Sequence, residues 1–183
     1  MKFPSYDVNT VSAAAKPLFE KAIKETGRLP NIYRYMAESP QLLEGYQFLR
    51  GLFRTSSLTP VEQELVLLTI NYEHNCKYCM AVHSARATMA KMPDEVLESL
   101  RNGSSVPDDK LEALRFFTRK MVVERAWVAD QDVETFLEAG YTHQNVMEIV
   151  LAIGMKVLTT YSNHLFDAPL DDALQPFAWS KPE

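Results

Sequence analysis

The chain of 183 residues holds two cysteines and four histidines, and three of these six side chains are spaced to work together. Cys76 and Cys79 are three apart, and His83 is four beyond Cys79. Helix neighbours three and four apart share a face, so a helix here stacks two sulfurs and an imidazole along one stripe. Such sulfurs are within reach of a disulfide in the helix's first turn. A thiol attacks as its thiolate, which a helix N-terminus or a histidine partner favours. Nearness to the helix start alone favours Cys76 as the attacking sulfur; nearness to His83 favours Cys79.

Twelve residues before Cys76 stands Glu64, on the preceding helix. Thr59 reads as the N-cap of that helix, Pro60 as its first residue and Glu62 as its third, a capping box. The apolar face then runs Val61, Leu65, Leu68, Tyr72. Glu64 borders that stripe, where desolvation raises a carboxylate's proton affinity and suits it to accept a proton.

The spacing Glu64-x11-Cys76-x2-Cys79-x3-His83 resembles the signature of the alkylhydroperoxidase D (AhpD)-like branch of the carboxymuconolactone decarboxylase superfamily. The segments LPNIYRYMAESPQLLEGYQFL and GYTHQNVMEIVLAIGMKVLTTYSNHLF are similar to those of its peroxidase-related members, so the likeness runs from about Gly27 to Asp172. The resemblance implies a thiol-dependent peroxidase or disulfide oxidoreductase acting on hydroperoxides. Cys79 is then the peroxidatic thiol, Cys76 the resolving one, His83 the proton acceptor and Glu64 the end of the relay. It also implies no prosthetic group, an external dithiol reductant such as lipoamide or a thioredoxin-like protein, and a homo-oligomer (dimer, trimer or hexamer). One position departs from the pattern: Tyr78 stands where the family carries a histidine, which puts the reductant in doubt more than the thiol chemistry.

Other readings stay beside this one. A non-redox decarboxylase or lactone-processing enzyme of the same superfamily shares the fold but generally lacks the cysteine pair. His74, Cys76, Cys79 and His83 offer four metal-ligand types, yet three share one helix face, whereas structural zinc usually draws ligands from two elements. A helical interaction protein with a redox-sensing cysteine pair is the remaining class. His74 is a candidate second base or an exposed loop histidine, Lys77 a solvated lysine, His143 a surface residue, and His164 a structural one. Tyr33, Tyr35 and Tyr46 are candidates to line a substrate approach, and Met80 and Met89 read as core filler.

The elements around these residues are helical throughout. Helices are predicted from Val11 or Lys16 to Thr26, over NIYRYMAES, from Pro40, from Thr59, over Asn75–Met92, over DEVLESL, from Asp108 or Asp109, from Asp130 and from Thr142. The last, with Val146, Ile149, Val150, Ile153, Val157 and Leu158 apolar, is expected to be central or at a subunit interface. The tail DAPLDDALQPFAWSKPE reads as extended, anchored by Phe177 and Trp179. The fold class is therefore all-α: one structural domain, with residues 1–55 as a helical arm on a core of 56–183. With a net charge of −5 and 46% hydrophobic residues, neither a nucleic-acid footprint nor a membrane span is expected. MKFPSYDVNT has no apolar signal core, and a cytoplasmic protein is the expectation.

Overall fold

Why one helix lies at the centre follows from its sequence. Pro60–Glu73 (α4) starts in the capping box anticipated for it: Thr59 Oγ1 accepts from the Glu62 amide (3.3 Å), and the Glu62 carboxylate accepts from the Thr59 amide (2.8 Å). From Leu65 to Asn71 every residue is buried, so α4 has no solvent face along its middle and must be covered on all sides. Each of its buried Leu, Val and Ile side chains contributes about 1.5–3 kcal/mol.

The computed structural model describes residues 3–182, all-helical with no strand among them. The remaining elements are α1 (Lys16–Thr26), α2 (Asn31–Met36), α3 (Pro40–Arg54), α5 (Lys77–Met89), α6 (Asp94–Asn102), α7 (Asp109–Val123), α8 (Asp130–Glu138), α9 (His143–Phe166) and a 3-10 helix, Asp172–Phe177. Helices α3, α5, α6, α7 and α9 pack on α4, and α3 also packs along α9. Phe117 of α7, Phe136 of α8 and Tyr141 stack in series with centroids 4.4 and 4.6 Å apart.

The structure selects between two pairs of boundaries left open by the sequence and moves others. The first helix begins at Lys16, because Pro17 fits only its first turn. The motif helix is Lys77–Met89, shorter than Asn75–Met92, since Asn75 takes a left-handed conformation (φ 53°) that ends the α4–α5 turn. Asp108, not Asp109, caps α7. At α8 the carboxylate that accepts the cap amide, that of Ala129, is Asp132's; Asp130 is already helical. The central helix is α4 and not α9, whose Met147, Val150, Tyr161 and Leu165 are exposed.

The tail is not extended. Its 3-10 helix docks on α5, and Leu174 is its buried residue. Trp179 donates to the Arg101 carbonyl (2.8 Å) and lies against Tyr72 (5.9 Å). The Arg101 guanidinium in turn binds the carbonyls of Phe177 and Ala178. Gly103, with φ +70°, is required beneath this contact: a Cβ there would stand 2.1 Å from the Tyr72 ring.

Candidate functional site

The α4–α5 turn sets the cysteines. Cys76 is the N-cap of α5, its sulfur accepting from the Cys79 amide at 3.4 Å. Cys79 and His83 follow on the same face of α5, and α4 packs beside them. Both cysteines are free thiols and both are buried.

Glu64 reaches across from α4. Its Oε2 lies 2.7 Å from His83 Nδ1, and its side chain is buried except for 14% of its surface. A carboxylate only accepts, so Nδ1 carries the proton and Nε2 is left as the acceptor. Burial depresses the imidazole to about 4; Glu64 works against this and the positive charge of Lys156 with it. His83 is therefore a neutral base at neutral pH.

Glu64, Cys79 and His83 line one cavity of about 730 Å³. Cys76 is not part of that lining; it lies behind Cys79, its sulfur 3.8 Å from Asn163 Nδ2. The sulfurs are also electrostatically unequal. Burial pushes Cys79 up, but the Cys76 thiol, the Lys156 ammonium and the backbone amide at the helix start outweigh it, and Cys79 falls to about 7. The hydrogen bond to Cys79, then burial, raises Cys76 above its ordinary range. The sulfur that lines the cavity is thus also the one whose ionisation its surroundings favour.

Lys156 of α9 was missed by the sequence reading. It is 1% exposed, lines the cavity, and among the described residues has no carboxylate within 4 Å. The available signal was its register, three residues after Ile153 and seven after Ile149, inside the apolar band. Asp171 was missed as well. Brought in by the tail, it accepts from the Tyr78 hydroxyl (2.5 Å) and the Asn31 amide (3.2 Å). Burial and this acidic partner raise Tyr78 well above a phenol's usual range, so the residue at the departing position is a fixed neutral donor.

The other candidates separate. Tyr33 and Tyr46 line the cavity; Tyr35 instead stacks on Phe166 at 5.0 Å. His74 is not an exposed loop residue: it caps the C-terminus of α4, its Nδ1 is 2.9 Å from Thr160 Oγ1, and burial depresses it to about 4. The described residues contain no group of three or more His, Cys, Asp or Glu side chains that could hold a metal ion. His143, His164 and Lys77 are exposed. Met80 is core, but Met89 is 82% exposed, at the cavity's edge.

With this geometry in hand, residues 40–117 match the carboxymuconolactone decarboxylase family. That segment holds Glu64, both cysteines and His83 on a bundle whose architecture is shared with the alkylhydroperoxidase AhpD core protein of Ralstonia eutropha JMP134 (TM-score 0.84, 17% identity, 94% of this chain and 93% of that one). The fold is AhpD-like, and the family match covers residues 40–117 of it. The AhpD-like fold is shared also by a peroxidase-related protein of Silicibacter sp. TM1040 (TM-score 0.79, 18% identity, 95% and 92% covered). A third similar structure is a cysteine-to-alanine variant of the debrominase Bmp8 in complex with 2,3,4-tribromopyrrole (TM-score 0.74, 17% identity, 97% and 95% covered). No curated protein matches the sequence. Lys156 and Asp171 lie outside the matched segment and are brought to the cavity by α9 and the tail. No helix among the described residues is long and apolar enough to cross a membrane.

Proposed function

We propose that the protein is a thiol-dependent peroxidase of the AhpD-like kind, reducing organic hydroperoxides through Cys79 and Cys76. One observation carries this reading: Cys79 and the Glu64–His83 pair open on the same cavity, with the second sulfur directly behind the first. His83 takes the Cys79 proton at Nε2 while Glu64 holds Nδ1. The thiolate attacks the terminal peroxide oxygen, the O–O bond breaks, and the alcohol leaves with a proton, giving Cys79 sulfenic acid. The Cys76 thiol then displaces water and forms a 76–79 disulfide. A dithiol, such as lipoamide or a thioredoxin-like protein, returns two electrons and two protons and leaves as its own disulfide. No prosthetic group takes part. The exposed apolar side chains of α9, with Phe48 and Leu52 of α3, support self-association.

The test is turnover of cumene hydroperoxide with dihydrolipoamide, with mass spectrometry of the oxidised protein. Wild type forms the 76–79 bridge; Cys79→Ser loses turnover, and Cys76→Ser stops at sulfenic acid after one turnover. Turnover retained in both variants, or processing of a muconolactone without either cysteine, overturns the proposal.

A further inference from the structure

Beside the thiol site the cavity carries a second cluster that the redox chemistry does not use. Tyr33 of α2, Tyr46 and Arg50 of α3 and Arg86 of α5 all line it. The two phenol rings meet edge to face at 5.8 Å, and both lie in the field of both guanidiniums. Arg50 is only 8% exposed; Glu25 pairs with it, yet its Nε has no partner. Arg86 is half-buried, and among the described residues no carboxylate comes within 4 Å of it.

The charge balance points the same way. The whole chain is at −5, but the cavity lining holds five cations (Arg28, Arg50, Arg54, Arg86 and Lys156) against three carboxylates (Glu25, Glu64 and Asp171). Those carboxylates are engaged: Glu25 by Arg50, Glu64 by His83, and Asp171 by Tyr78 and, at 4.0 Å, Arg28. Lys156 faces Cys79. What remains over is positive, partly dry and equipped with phenol donors. A desolvated guanidinium without an anion is costly, and its planar fork matches a carboxylate.

We propose that Arg86, Arg50, Tyr33 and Tyr46 form a carboxylate-binding subsite, so that the cavity takes a monocarboxylic acid whose reacting group is seated at Cys79. Arg86 stands seven residues beyond Cys79 on the same helix, about 10 Å along its axis, and its side chain leans back toward the N-terminus. The ligand therefore spaces its carboxylate about 5–10 Å from the reacting group. That this group is a hydroperoxide rests on the function proposed above; the carboxylate does not.

Calorimetric titration of the reduced protein with 4-isopropylbenzoate and with its methyl ester tests the subsite without any turnover. The acid binds at least ~10-fold more tightly than the ester, its advantage shrinks with added salt, and it slows alkylation of Cys79 by iodoacetamide. Arg86→Gln abolishes the advantage and Arg86→Lys keeps part of it, both checked for native helix content by circular dichroism. Equal binding of acid and ester, failure of the acid to bind, or an advantage retained in Arg86→Gln overturns the inference. Cumene hydroperoxide turnover by the same wild-type preparation reports on the redox reading separately, and can fail while the acid still binds.

Discussion

Glu148 and Lys156 stand eight residues apart on α9, both buried charges in the same helix, and their surroundings differ completely. Glu148 is saturated: it accepts from the Ser57 amide and hydroxyl (2.8 Å each), from Gln144 (2.9 Å) and from Asn145 (3.0 Å). These bonds hold it below the usual carboxylate range against its burial, and they pin the α3–α4 loop to the start of α9. Lys156 has no carboxylate within 4 Å among the described residues; it faces the side of a cavity and a thiol whose ionisation it promotes. A buried charge given every partner fastens the fold. One left without its counter-ion is completed by whatever becomes negative next to it, here Cys79.

That contrast is open to attack at each end. The largest effect belongs to Lys156→Met, which replaces the charge by an apolar chain of similar length. Cys79 rises from about 7 toward the ordinary thiol range, the Cys76 hydrogen bond remaining, and the thiolate fraction at neutral pH falls by roughly 10-fold. Iodoacetamide labelling of Cys79 against pH reads this directly, and urea midpoints equal to or above wild type separate it from a folding defect. An unmoved pH profile would make Lys156 a structural residue like Glu148.

His83 sharpens the comparison from the side of acid. Its folded value, about 4, lies below the ordinary 6.5, so the unfolded chain binds the proton first as pH falls. Its stabilising contribution is complete above about 6.5 and is lost as pH drops toward 4, on the order of 3 kcal/mol. Urea denaturation across that range shows the slope, to which His74, likewise depressed to about 4, adds its own share, and His83→Gln removes roughly half of it.

The smallest effect tests the saturated charge. Glu148→Ala costs about 2 kcal/mol of stability by orphaning the Ser57 and Asn145 donors, measured in the same urea titrations. The Cys79 labelling profile stays where it is. A shift there would mean that the two charges are coupled through α9.

What could be read beforehand follows from how far each interaction reaches along the chain. Thr59 and Glu62, or Cys76, Cys79 and His83, communicate within a turn or two of helix, so spacing alone places them together. Glu64 needed one additional element, the tight turn at Asn75. Lys156 and Asp171 come from about 80 residues or more beyond Cys76, and the register of Lys156 inside the apolar band marks it as buried without saying what it faces. Arg50 escaped for the same reason: it falls between Tyr46 and Phe53 on a buried face. Met89 went the other way, a methionine at helical spacing whose stripe had already run past the end of the core.

Gly103 extends this dependence to the far side of the bundle. Its bare backbone leaves room for the Tyr72 ring against the loop, the ring contacts Trp179, and the indole steadies the strap that carries Asp171 to Tyr78. A single methyl group at position 103 would tilt that whole lever. A lesion on a surface loop would thus surface as a loosened Tyr78–Asp171 contact at the cavity wall, with Glu64, Cys76, Cys79 and His83 untouched.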